Sequence, residues 1–141
     1  MTQIMWHVFF RKKHVFYEVL SIGVNYIIKH TEDINHSIHA EDDCVRKLKP
    51  NRKRIIDVDV VILCFRKDNT LKDILPCNRC LGVLSYNLSY KGYRIKNVYH
   101  SVEGVVTETS FKNVIILVNK QKKTEKKTYY KIKKKISIKY F

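Results

Sequence analysis

Apolar residues form two long runs of strand character in the first half of the chain. Residues 14–30, HVFYEVLSIGVNYIIKH, are rich in β-branched and aromatic side chains and are interrupted at Gly23 and Asn25, which predicts a strand or a hairpin. Residues 56–65, IDVDVVILCF, are almost continuously apolar, a pattern typical of a central strand that is covered on both faces. The N-terminal stretch IMWHVFF also has the character of a strand rather than of a helix.

The second half contains two further apolar runs. Residues 93–101, YRIKNVYHS, and residues 113–118, NVIILV, both predict strands. The stretch between them, VEGVVTETSFK, predicts a turn.

A helix is predicted over residues 39–48, within IHAEDDCVRKL. Its apolar positions recur at helical spacing: Ala40, Cys44, Val45 and Leu48. Acidic residues come early, basic residues come late, and Pro50 follows as a stop. Pro76 takes the first-turn position of a second predicted helix, which runs to about Tyr86. The order strand, helix, strand, helix, strand indicates an α/β layered sheet.

Composition limits the class of protein. A chain of 141 residues with 45% hydrophobic residues is long enough for one domain with its own core, and its apolar runs are too short to span a membrane. No secretory signal is visible, so we expect a cytoplasmic protein, which could be a viral protein inside its host cell.

The net charge of +15 is unevenly distributed: residues 119–141 contain ten lysines and one acid, a net charge of +9. We therefore expect a domain over residues 1–118 and a lysine-rich segment over residues 119–141.

Cys77 and Cys80, in PCNRC, are the pair with the most specific spacing. On a helix they share one face, and the helix N-terminus favours the thiolate that zinc requires. A reducing compartment makes a disulfide the weaker interpretation. Taken alone, the pair fits either a zinc site or two redox or buried thiols, whereas Cys44 and Cys64 have the surroundings of small core residues.

The tripeptide HAE supplies what the cysteine pair lacks. His39 offers a third ligand for zinc, which leaves the fourth tetrahedral position for water. Glu41 offers a carboxylate that does not bind the metal and could move protons beside that open position. Asp42 and Asp43 are interpreted as helix-start acids favoured by the dipole. This arrangement suits hydrolytic removal of an amino group.

HAE at residues 39–41 followed by PCNRC at residues 76–80 resembles the zinc-dependent cytidine and deoxycytidylate deaminase superfamily. The similarity covers roughly residues 21–101 and is nearest in style to deoxycytidylate deaminases. It implies a three-layer α/β/α sandwich with a mixed sheet of about five strands. It also implies a zinc ion held by three ligands, His39, Cys77 and Cys80. The resemblance further makes Glu41 the proton shuttle and Asn25 a residue that binds the substrate.

The leading hypothesis is therefore an enzyme that deaminates a cytosine nucleotide or nucleoside, with deoxycytidylate favoured, and that assembles as a homo-oligomer. A second hypothesis is a nucleic-acid editing deaminase, in which the basic segment contacts the polyanion and tyrosines after the second helix stack on bases. In a third, the chain is a zinc-stabilised nucleic-acid-binding module without turnover. Comparing ammonia release from mononucleotides and oligonucleotides would separate the first two.

Overall fold

The computed structural model describes residues 4–29, 35–121, 123 and 124. Its strands are β1 (Ile4–Lys13), β2 (Phe16–Val24), β3 (Tyr26–Lys29), β4 (Asn35–Ile38), β5 (Ile56–Phe65), β6 (Leu71–Lys72), β7 (Tyr93–Val102) and β8 (Val105–Ser110). Its helices are α1 (Ala40–Lys47), α2 (Asn78–Gly82), α3 (Leu88–Tyr90) and α4 (111–121). A π-helical segment (Val83–Asn87) joins α2 to α3. None of the helices in these ranges is long and apolar enough to cross a bilayer.

A mixed sheet of six strands organises the fold. Strands β2, β1, β5, β7 and β8 are neighbours in that order, and β6 pairs with the end of β5. The β5–β7 pair is parallel, and the other pairs are antiparallel. Strands β3 and β4 form a separate hairpin. The α/β class and the mixed sheet are thus confirmed, with six strands rather than about five.

The strand and helix predictions for residues 39–101 agree closely with the structure, whereas the described part of residues 14–30 forms two strands, β2 and β3, that pair with β1 and β4 and not with each other. The central strand over residues 56–65 is confirmed as β5, and the first helix starts and ends within one residue of the prediction. The helix expected after Pro76 starts at Asn78 and continues through the π-helical segment to Tyr90. IMWHVFF lies within β1, which forms a hairpin with β2.

Both structural predictions for residues 102–118 are wrong. The stretch taken as a turn contains β8, which forms a hairpin with β7 through Glu103 and Gly104. Both turn residues have positive φ, 50° and 78°, as a two-residue hairpin turn requires. Residues 113–118 are helical, not extended, because α4 buries Val114 and Val118 one turn apart against the core. Residues 125–141 lie outside the described ranges, so the role of the lysine-rich segment and its boundary remain predictions.

The helices share a core with one face of the sheet. In β5, the buried side chains alternate with half-buried ones; those that reach the core are Val58, Val60, Ile62 and Cys64. The core also contains residues of all three helical regions: Cys44 and Val45 of α1, Leu84 and Leu88 of the middle helices, and Val114 and Val118 of α4. The expectation that β5 is covered on both faces is wrong within the described residues, because its other face is only half-buried.

Helix α1 is fixed to the rest of the molecule at its C-terminal end by Lys91. The ammonium group donates hydrogen bonds to the carbonyl oxygens of Val45, Arg46 and Leu48, at 2.6, 3.0 and 2.8 Å. The Val45 carbonyl also accepts a hydrogen bond from the Leu48 nitrogen at the C-cap, and the carbonyls at this end carry the negative end of the helix dipole, so a cation is favourable there. Lys91 lies in the turn that follows α3, and it therefore joins α1 to the middle helices.

At its N-terminal half, α1 lies directly on β2 at Gly23. A Cβ atom at Gly23 would collide with the carbonyl oxygen of Ala40 and with the main-chain nitrogen and Cβ of Cys44. Ser21 donates a 2.6 Å hydrogen bond to the carbonyl oxygen of Cys44 nearby. The absence of a side chain at Gly23 therefore sets how closely the helix approaches the sheet.

We predict that Gly23→Ala lowers the free energy of unfolding by about 1–3 kcal/mol, because the added methyl group forces α1 away from β2. Gly82→Ala is the matched control: apart from its own helix, none of the described residues comes within 4 Å of a Cβ at Gly82, and alanine at a helical position stabilises by about 0.5–1 kcal/mol. Urea unfolding followed by circular dichroism measures both values. Equal stability of the two variants would contradict the close contact at Gly23.

Candidate metal centre

Two helix N-termini meet beside the sheet, and each begins at a predicted zinc ligand. His39 is the N-cap residue of α1, and Cys77 is the N-cap residue of α2. Both have the extended backbone that N-cap residues adopt. Cys80 lies in the first turn of α2 and is buried. The predicted helix spacing thus places the two cysteines on the side of α2 that faces α1.

The three predicted ligands lie close together in space. Their ligand atoms are all within 4.8 Å of one another. His39 Nδ1 is 3.2 Å from Cys80 Sγ, and Cys77 Sγ is 2.9 Å from Cys80 Sγ. Ligand atoms around a tetrahedral zinc ion are about 3.5–3.8 Å apart, so the three atoms lie somewhat closer together than they would around a bound ion. One imidazole nitrogen and two sulfurs form a donor set that fits zinc.

One ion pair between the two helices and one hydrogen bond within α2 support this arrangement. Arg79 of α2 forms an ion pair with Asp42 of α1, with Nη2 and Oδ2 3.1 Å apart. The main-chain nitrogen of Cys80 donates a hydrogen bond to Cys77 Sγ at 3.3 Å, which fixes the first turn of α2 around the first sulfur. The approach of His39 to the cysteine pair therefore has support from both charge and main-chain geometry.

Asp43 has more contacts than a helix-start acid requires. Its carboxylate is buried and accepts hydrogen bonds from the main-chain nitrogen of Val24, from Arg46 and from Lys47. Burial alone would raise the pKa of Asp43, but these partners lower it below its usual value. Asp43 therefore fastens α1 to the end of β2, which corrects the interpretation of this residue as a simple dipole partner.

Glu41 is buried next to the candidate ligands. Its side chain is 2% exposed, and Oε1 lies 2.9 Å from Nε2 of His7, a residue of β1 that is 0% exposed. Burial would raise the pKa of Glu41, but the contact and charge of His7 outweigh it and lower the pKa to about 2. Glu41 is thus a carboxylate in the interior with one oxygen held by an imidazole.

The pKa of Cys80 is shifted in the opposite direction to that of Glu41. Burial raises the pKa of its thiol, and the charge of Glu41 and the neighbouring Cys77 raise it further. These surroundings oppose the effect of the helix N-terminus, which favours the thiolate. A bound cation would oppose this shift, because a metal ion stabilises a coordinating thiolate directly.

Asn25 lies at the end of β2, where its main chain and side chain both contact Met5 of β1. The side-chain oxygen accepts a 2.9 Å hydrogen bond from the main-chain nitrogen of Met5, and the main-chain nitrogen of Asn25 donates to the Met5 carbonyl at 3.3 Å. These contacts extend the pairing of β1 and β2. The substrate-binding role of Asn25 stays a prediction.

The other two cysteines, Cys44 and Cys64, lie in the core. Cys44 and Cys64 are fully buried, as predicted for core residues, and burial raises the pKa of Cys44 to about 11.

His7 was not predicted as part of the site. Its spacing from HAE and PCNRC carries no signal, because only the pairing of β1 with β2, where His7 lies opposite Gly23, brings it under α1.

No family model matches this chain, and no curated protein or solved structure matches it either. The likeness to zinc deaminases therefore depends on the residues of the motifs themselves. Among these, the group of His39, Cys77 and Cys80 is compatible with a metal ion such as zinc.

We predict that the chain binds one zinc ion and that its affinity rises with pH. Because the pKa of Cys80 is raised, its thiol holds a proton at neutral pH that zinc must displace. The affinity should fall as the pH is lowered, by up to about tenfold per pH unit for each proton released. Competition with a chromophoric chelator between pH 6 and pH 8.5 measures this slope.

Cys77→Ser and Cys80→Ser should each weaken zinc binding by more than about 100-fold, since loss of outer-shell partners alone costs up to about that much. Cys64→Ala removes a buried cysteine from the core and should leave one zinc per chain. Retention of full affinity in both ligand variants would rule out the site.

Proposed function

We propose that the chain is a zinc-dependent hydrolytic deaminase that converts a cytosine nucleotide or nucleoside, deoxycytidylate in particular, to the uracil form and releases ammonia. One observation supports the proposal: the buried carboxylate of Glu41 contacts Cys80, which is one of the three candidate ligands. A metal site with a purely structural role does not require that carboxylate.

In the proposed hydrolysis, three residues bind the metal and a fourth transfers protons. His39, Cys77 and Cys80 hold the zinc ion, which when bound lowers the pKa of water and stabilises developing negative charge. Glu41 takes a proton from the attacking water and delivers protons to the ring nitrogen and to the departing amino group. The oxygen of water thereby replaces the amino group, which leaves as ammonia.

Burial of Glu41 and Cys80, next to the half-buried His39 and the exposed Cys77, favours this chemistry. Glu41 and Cys80 are both buried, so electrostatic interactions between the residues and a reacting base are stronger than they would be in water. The three-layer sandwich remains part of the proposal. The described helices cover one face of the sheet.

We predict that the zinc-loaded protein releases ammonia from deoxycytidylate faster than from adenine nucleotides. Glu41→Gln should keep one zinc per chain and lower kcat by at least about 100-fold, because the amide cannot exchange protons. Asp57→Asn changes an exposed acid of β5 that pairs with Arg94, and it should keep most of the activity. Ammonia release and metal content are measured on the same samples. Undiminished turnover in Glu41→Gln would refute the role of this residue.

A second candidate function, deamination of a base in single-stranded nucleic acid, is favoured by two exposed aromatic residues. Tyr86 and Tyr90 are 72% and 90% exposed, and they lie four residues apart on the helix that starts at the metal centre. Exposed aromatic rings at this spacing can stack on successive bases. Tyr93, the third tyrosine of this region, is buried and donates a hydrogen bond to the carbonyl oxygen of Lys49.

If this second function holds, cytosine in a single-stranded oligonucleotide should be a better substrate than deoxycytidylate. Replacing both Tyr86 and Tyr90 by alanine should then weaken oligonucleotide binding by about 10-fold or more, since stacking contributes about 1–3 kcal/mol per base. Tyr17→Ala removes another exposed tyrosine, located on β2, and serves as the control. Fluorescence anisotropy at several salt concentrations gives the affinities. A preference for the free nucleotide would exclude this function.

A further inference from the structure

One polar contact of the proposed proton shuttle, Glu41, comes from a residue outside both motifs. His7 lies in the middle of β1 with its side chain 0% exposed, and its Nε2 atom is 2.9 Å from Oε1 of Glu41. Nε2 is within ion-pair distance of Oε1, but neither ring nitrogen of His7 makes a well-formed hydrogen bond within the described residues. The imidazole therefore has one polar neighbour in this part of the chain, and that neighbour is the carboxylate.

We propose that His7 is a positioning residue that holds the carboxylate of Glu41 in the orientation needed for proton transfer. This inference rests on the proposed deaminase function and deepens it. His7 Nε2 holds Oε1, whereas Oε2 is buried and has no hydrogen-bond partner among the described residues. Oε2 is consequently the oxygen left to exchange protons with water and substrate.

A buried carboxylate needs such a partner. A carboxylate taken out of water without a compensating charge or hydrogen bond is strongly destabilised, and it would otherwise rotate towards solvent or take up a proton. The contact with His7 lowers the free-energy cost of burying the carboxylate at one of its two oxygens only. The carboxylate is thereby kept in the interior, near Cys80, without losing its second oxygen to a structural contact.

The position of His7 is itself set by the packing of α1 on the hairpin. His7 lies opposite Gly23 in the β1–β2 ladder, and Gly23 is the residue over which α1 approaches most closely. Cys44 of α1 donates a long 3.4 Å hydrogen bond from its thiol to the His7 carbonyl oxygen. The main chain of His7 and the helix that carries Glu41 are thus held together independently of the imidazole.

The test compares two substitutions at His7 in the full-length, zinc-loaded chain. His7→Leu fills a similar volume and removes the nitrogen, and His7→Gln can place an amide nitrogen near the position of Nε2. We expect His7→Leu to bind one zinc, to lower kcat by about 100-fold and to change KM by less than about threefold. His7→Gln should recover at least about a tenth of the wild-type kcat.

Ser21→Ala is the matched structural control. It removes a different contact between β2 and α1, the hydrogen bond to the Cys44 carbonyl oxygen, and leaves the His7–Glu41 pair intact. Ser21→Ala should lower stability while kcat stays within about threefold of the wild type. An equal loss of kcat in Ser21→Ala and His7→Leu would mean that loosening of α1 explains both, which would overturn the proposal.

Other outcomes are also decisive. Unchanged or increased kcat in His7→Leu would overturn the positioning role while leaving the deaminase function standing. If the wild-type protein releases no ammonia, the proposed function fails, and crystal structures of the zinc-loaded wild type and His7→Leu decide the inference. A displaced Glu41 carboxylate in the variant would support positioning by His7, and an unmoved carboxylate would overturn it.

Discussion

The close packing of α1 on β2 is the contact on which the rest of the site depends. Gly23 leaves no room for a Cβ atom, so the helix main chain lies directly on the strand. Asp43 then fastens the helix to the end of the same strand through the Val24 nitrogen. Because the helix position is fixed in this way, its N-cap residue and its first-turn carboxylate are fixed as well.

The electrostatics of the site follow from that packing. Two groups that ionise to anions, the Glu41 carboxylate and the Cys80 thiol, are buried near each other. The pKa of Glu41 is lowered because His7 lies beside it, whereas the pKa of Cys80 is raised because burial and Glu41 both oppose its charge. The negative charge is therefore favoured on the Glu41 carboxylate and disfavoured on the Cys80 sulfur. A divalent metal ion resolves this conflict, since it favours both anions at once.

The sheet is covered unequally on its two faces. The core lies on the face that carries α1, α4 and the helices between them. On the opposite face, Phe10 contacts Tyr17 and Tyr99, with ring centroids 5.6 and 5.7 Å apart, and Tyr17 remains largely exposed. The polar chemistry of the site is confined to the covered face, because only there can side chains be removed from water.

The sequence by itself determined the features that depend on local spacing. The apolar run at residues 56–65 identified the central strand. Helical spacing with early acids identified α1, and Pro76 with the cysteine pair identified the start of α2. The spacing of HAE and PCNRC also identified the three residues whose ligand atoms the structure brings within 4.8 Å. The helical spacing of Val114 and Val118 was present too, but the apolar run around them suggested a strand.

Only the tertiary structure decided the contacts made across the sheet. The contact of His7 with Glu41 requires the antiparallel register of β1 and β2 together with the docking of α1, and neither is encoded in local spacing. The same holds for the contact of Lys91 with the end of α1 and for the single covered face of β5. A pattern in sequence shows which face of an element is apolar, but strand pairing and helix packing decide which polar groups meet there.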